Sequence, residues 1–134
     1  MVGYSETPLA KKLGLKDGSN LVLVGAPDNY AVLIGSLSNT VKIAPRLSNT
    51  TDIVHVFSTR RTEIRGFLVA CRSKLNSSAM VWVSWPKKSS KVATDITEDA
   101  IRELALPLGF VDVKVCAVTE VWSGLKLVVR KELR

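Results

Sequence analysis

The sequence is short of the residues that most chemistry-bearing sites use. Its 134 residues hold one histidine and two cysteines. Structural and catalytic metal sites need three or four such ligands at close spacing. Cys71 and Cys116 lie far apart, each at an apolar position of its segment, so both read as small core hydrophobes in a reducing compartment. There is no G-x-S-x-G elbow, no phosphate loop ending in G-K-[ST] and no G-x-G-x-x-G fingerprint. No catalytic residue is therefore expected, and no metal and no cofactor. No apolar run approaches the roughly 18 residues of a membrane span, and MVGYSETPLAKK lacks the apolar core of a signal peptide. A cytoplasmic chain is expected, in which the sequons at Asn49 and Asn76 carry nothing. Acid is also scarce. Asp and Glu number 12 against 19 Lys and Arg, a net charge of +7. That excess favours an anionic partner. Nucleic acid fits the charge, but aromatics are only 6% of the chain and no recognition helix or aromatic RNP-like strand is visible.

What is present is a regular alternation of apolar runs. Pro8 to Leu13 has the marks of a short helix, with Pro at its start and Gly14 at its end. LVLVGA (21–26) is a continuous apolar run, as expected of a strand buried on both faces. A short helix over NYAVLIG, capped by Asp28, stops at Gly35. VKIAP (41–45) and DIVHVF (52–57) read as the second and third strands. Ser58 and Thr59 cap a helix over 60–75, in which Ile64, Phe67, Leu68, Cys71 and Leu75 make one apolar face. AMVWVSW (79–85) is the fourth strand. Asp95 with Glu98, or Thr97 itself, opens the next helix, and Gly109 closes it. VDVKVCAVTEV (111–121) and LKLVVRKEL (125–133) are strands joined by WSG, an antiparallel hairpin. Strands alternating with helices are parallel and cross over right-handedly. The expectation is one α/β domain over 1–134. It is a three-layer Rossmann-like unit whose mostly parallel sheet has about six strands and ends in an antiparallel hairpin.

Two resemblances go further. The stretch from DIVHVF through AMVWVSW and TEDAIRELALPLGFVDVKVCAV to the closing hairpin resembles the back half of a Rossmann-like methyltransferase. That likeness implies a strand order 2-1-3-4-6-5, with the usual third strand missing. It does not carry the activity over. Methyltransferases of this fold place a glycine-rich turn after the first strand, where this chain has VGAPDNY with Gly25 alone. They also place an acidic residue after the second strand, where VKIAPRLS has no carboxylate before Asp52. GYSETPLAKKLGLKDG, SWPKK, TDITEDAIRELALPLGFVDVKVCA and WSGLKLVVRKELR together resemble a bacterial family of domains of unknown function. This second likeness implies a compact cytoplasmic α/β domain and assigns no activity.

One constellation remains. In open parallel sheets, ligands bind outside the carboxyl ends of the strands. By that rule the first strand delivers Gly25, the second Arg46, the third Arg60 and Arg61, and the fourth Trp85, Lys87 and Lys88. These residues are the candidate ligand-binding set. Helix N-termini near residues 28 and 59 add free N–H groups, arginines offer forked contacts to phosphate, and Trp85 offers a plane for stacking. The blander account is a solvated loop. His55, mid-strand among Ile53 and Phe57, reads as a satisfied core histidine. The sequence thus leads to a non-catalytic domain that binds an anionic small molecule, a nucleotide or phosphorylated metabolite. The alternative is a protein-interaction or structural module derived from a methyltransferase-like fold that has lost its cofactor site. A monomer or a homodimer is expected, with Leu125, Leu127 and Val129 of the hairpin as an edge for pairing.

Overall fold

The computed structural model describes residues 8–134. The elements run α1 (Leu9–Leu13), β1 (Asn20–Val24), α2 (Tyr30–Ile34), β2 (Lys42–Ala44), β3 (Ile53–Phe57), α3 (Arg61–Lys74), β4 (Met80–Pro86), α4 (Glu98–Ala105), β5 (Phe110–Ala117) and β6 (Trp122–Val129). The six strands form one sheet in the order β2-β1-β3-β4-β6-β5. The first four pair in parallel, and β6 joins β4 and β5 antiparallel. Helices lie on both faces, as the apolar runs required: β3 is buried at all five positions. Strands with two covered faces read as unbroken apolar runs rather than alternating ones.

Two cores sandwich the sheet. On one face α3 and α4 cover Val56, Val81, Val83, Trp85, Leu125 and Leu127. On the other α1 and α2 cover Leu21, Ile53, Phe57 and Trp82. Local chemistry sets the helix ends. Gly14 takes the left-handed conformation after α1 (φ +83) and Gly109 does so after the turn that follows α4 (φ +100). Thr97 is the N-cap of α4, its hydroxyl accepting from Ala100 N at 3.0 Å. Arg102 then ties α4 to β5, holding Glu98, Asp99 and Asp112 at once. The Asp112 carboxyl is lowered chiefly by its hydrogen bond to that guanidinium.

Three expectations change. α2 does not end the helical stretch at Gly35, because a 3-10 turn over Gly35–Asn39 extends it. WSG is not the hairpin turn. The chain reverses at 118–121, where the Thr119 hydroxyl accepts from Val121 N and Trp122 N at 3.1 Å each. Gly124 lies inside β6, where a Cβ would meet Val118, Ser84 and Trp82 at 3.1–3.2 Å. The glycine marks a close approach of side chains, not a turn. Finally, Leu125, Leu127 and Val129 form no edge: β6 lies between β4 and β5, and all three are buried.

Candidate functional site

The strand order reverses between β1 and β3, so the crevice at their carboxyl ends is where an open α/β sheet is expected to hold a ligand. Here two strand ends come close together. Gly25 follows β1 at φ +66, and a Cβ on it would sit 2.5 Å from the Phe57 carbonyl oxygen. The glycine is needed by the protein's own backbone, a sufficient reason for it without any ligand. Beneath this contact Tyr30 of α2 meets Phe57 edge-on at 5.9 Å between ring centroids. Trp122 meets the same ring from the hairpin side at 5.2 Å.

His55 lies in that packing, fully buried. Its Nδ1 is 2.9 Å from the Tyr30 hydroxyl and its Nε2 is 2.7 Å from the Ser84 hydroxyl. Both ring nitrogens are partnered, so the histidine is a satisfied core residue. Burial lowers its pKa to about 3 and keeps the ring neutral near pH 7. Burial also raises the Tyr30 phenol and pushes the Cys71 thiol up to about 12. None of the three is set up to exchange protons with a substrate.

The neighbouring ends of β3 and β4 are built differently. Ser58 N extends the strand pairing to Ser84 O at 3.1 Å, and Lys87 N donates to Val121 O at 2.7 Å. The chain then makes a 3-10 turn over Lys88–Ser90. The Ser90 hydroxyl holds the Lys87 carbonyl at 2.6 Å. Lys91, at φ +62, is the single non-glycine residue with positive φ among the described residues. The far end of the loop is tied back to α3. The Thr94 hydroxyl donates to Thr59 O at 2.8 Å, and the Asp95 carboxylate accepts from Arg61 N at 2.8 Å.

These contacts sort the candidate residues. Trp85 is no stacking platform. It shares a sheet face with Val81 and Val83, and the residue is buried, 8% exposed, in the core under α3 and α4. The α3 N-terminus is not open either, because Asp95 and the Ser58 hydroxyl occupy its first N–H groups. The N-terminus after Asp28 opens a helix of only five residues. Arg61 is committed to Glu103 of α4 at 3.1 Å. Arg60 follows β3, and Lys87, Lys88 and Lys91 lie in the loop that follows β4. None of the four takes part in an ion pair among the described residues. Arg46 is exposed after β2. Strands lie about 4.8 Å apart, so β2, three strands from β4, stands about 14 Å away. A ligand touching both would have to be elongated.

Sequence reasoning left Lys91 out of the candidate set and missed the Asp95 contact with α3 and the Tyr30–His55–Ser84 chain. Only Asp95 had a local signal, and it pointed to the wrong helix. Two open clefts lie away from the cations. One, of 410 Å3, sits at the amino ends of β1, β3 and β4, beside Lys16, Ser19, Asp52 and Ser78. The other, of 480 Å3, lies between α1 and the end of α2. Among the described residues no three His, Cys, Asp or Glu side chains gather as a metal site. No described helix is long and apolar enough to cross a membrane.

No family model and no curated protein matches the chain. Solved structures do match. One is a putative type 11 methyltransferase from Sulfolobus solfataricus, 12% identical, with a TM-score of 0.62 over 92% of this chain and 90% of that one. A SAM dependent methyltransferase from Aquifex aeolicus is 15% identical, with a TM-score of 0.64 over 91% and 88%. A protein of the NADB-Rossmann superfamily from Streptococcus agalactiae is 12% identical, with a TM-score of 0.54 over 96% and 70%. At these identities the likeness is one of fold: a Rossmann-like methyltransferase fold with strand order 2-1-3-4-6-5.

Proposed function

We propose that the protein is a non-catalytic binding domain for an anionic small molecule, a nucleotide or phosphorylated metabolite, held at the carboxyl ends of β3 and β4. Arg60, Lys87, Lys88 and Lys91 make the contacts. Gly25 and Trp85 shape the neighbouring backbone and core without touching the ligand, and Arg46 reaches only an elongated one. The observation that carries this reading is the conformation of Lys91. A left-handed lysine costs about 1 kcal/mol that glycine or asparagine would avoid, and it places a third ammonium on a turn that already presents two. Strain of this kind concentrates at binding loops.

The methyltransferase fold alone does not favour methyl transfer. The β1 turn has Gly25 alone and gives it to Phe57, and no carboxylate follows β2 before Asp52. The close approach of Gly25 to the Phe57 carbonyl favours the competing reading, an interaction or structural module, which predicts no response to small anions. A thermal-shift series with ATP, coenzyme A, pyrophosphate and S-adenosylmethionine separates the two. Stabilisation by a phosphate-bearing compound, lost in Lys87→Ala/Lys88→Ala, is expected. Silence toward every anion would sink the proposal. Stabilisation by S-adenosylmethionine alone would restore the methyltransferase reading.

A further inference from the structure

The sheet face under α1 and α2 is covered unevenly. Over β1, β3 and β4 it is packed, with the Trp82 indole N–H donating to Leu13 O of α1 at 3.0 Å. Over β5 and β6 the cover thins: Cys116 and Trp122 still pack against the α1–α2 core, but the rest of the strip is more open. Lys114 is exposed there, and Val111, Cys116, Lys126 and Val128 are half-buried. The strand register sets Lys114 directly opposite Lys126, with Lys126 next to Trp82. Like charges opposed across a strand pair destabilise a sheet. Neither lysine takes part in an ion pair among the described residues. Burial, then the charge of Lys114, lowers the pKa of Lys126. Lys12 of α1 brings a third cation. The Cys116 thiol is raised by burial, and the positive charges of Lys12 and Lys114 pull it the other way.

We propose that this strip, Lys12, Lys114 and Lys126 bordered by Val111, Cys116 and Val128, is an interaction surface for an acidic segment of a partner protein. Carboxylates would relieve the opposed lysines, and the half-buried valines suit apolar residues set between those carboxylates. Charge complementarity selects this occupant. A second copy of the chain would lay lysine against lysine. Nucleic acid would find no free ring to stack on, since Trp122, the aromatic residue of β6, is already edge-on to Phe57. The surface is separate from the Lys87–Lys91 turn, so the two proposals stand or fall apart.

The test is fluorescence polarisation of the full chain with a labelled octapeptide alternating glutamate and leucine, run beside labelled oligo-dT of equal charge. The peptide is expected to bind, more weakly as salt rises. Lys114→Gln/Lys126→Gln should weaken it about tenfold, the loss of about 1.4 kcal/mol, with no fall in Tm, because a repulsion has been removed. Lys87→Ala/Lys88→Ala should bind the peptide as wild type does. If the double variant does not fold, the exposed Lys114→Gln alone carries the comparison. Absence of peptide binding, or binding unchanged by the substitutions, overturns the proposal. So does a preference for oligo-dT that the same substitutions abolish.

Discussion

The carboxyl edge of this sheet is built in two ways within the width of three strands. Between β1 and β3 the chain closes on itself: Gly25 is pressed to the Phe57 carbonyl, and Tyr30, His55 and Ser84 form a buried hydrogen-bonded line below. Between β3 and β4 the backbone is held just as firmly, by Ser90, Thr94 and Asp95. Yet the side chains it presents are cations with no ion-pair partner among the described residues. One half uses its special residues for packing and the other for charge. A glycine at the first turn of a Rossmann-like fold is therefore no sign of a cofactor until its neighbours are known.

The comparison can be broken most forcefully at Gly25. Gly25→Ala puts a methyl against backbone at positive φ. Overpacking and backbone strain together should cost about 2–4 kcal/mol by urea denaturation. A loss below about 1 kcal/mol would mean the crevice is looser than described. Ser84→Ala comes next. It leaves His55 Nε2 buried without a partner and should cost about 1–3 kcal/mol, where a loop serine would cost almost nothing.

The same histidine gives a pH test. Its folded pKa, about 3, lies below the ordinary value near 6.5, so below 6.5 the unfolded chain binds a proton that the folded chain does not. Its contribution is therefore fully present above about pH 6.5 and is lost as the pH falls toward 3, by up to about 1.4 kcal/mol per pH unit. His55→Gln should flatten that part of the stability profile, and an unchanged profile would contradict the buried neutral ring.

On the charged side the effects on stability shrink and the effects on binding grow. Lys91→Gly should stabilise the protein by about 0.5–1 kcal/mol, by releasing the left-handed strain, while weakening the retention of phosphate-bearing ligands. A destabilised Lys91→Gly would show that the lysine supports the fold instead. Lys87→Ala/Lys88→Ala should move stability by no more than about 0.5 kcal/mol and abolish ligand-induced stabilisation. A large loss of stability would turn the loop back into structure.

Much of the fold was legible in advance because its causes are local. Unbroken apolar runs such as IVHVF announce strands covered on both sides, and their alternation with helices leaves few parallel arrangements. The histidine was legible too, since mid-strand positions of a central strand are buried whatever they carry. The candidate site was legible only in part. Trp85 and Lys87 are two residues apart in sequence, yet strand alternation sends the tryptophan ring into the core and the loop carries the lysine out. Gly124 carries the same turn signal as any hairpin glycine, and only the side chains of Val118, Ser84 and Trp82 around it show that it belongs to a strand.

By itself the sequence determined the elements, their order and the excess of positive charge, since these follow from short-range periodicity, turn residues and composition. Tertiary structure decided which cations remain uncommitted. Asp95 caps α3 and Glu103 takes Arg61 across a helix pair, while half-buried Lys87 and exposed Lys88 and Lys91 are left without an ion pair among the described residues. That choice depends on contacts between residues far apart in the chain. No local pattern encodes them, because the partner's position is set by how the sheet stacks its helices.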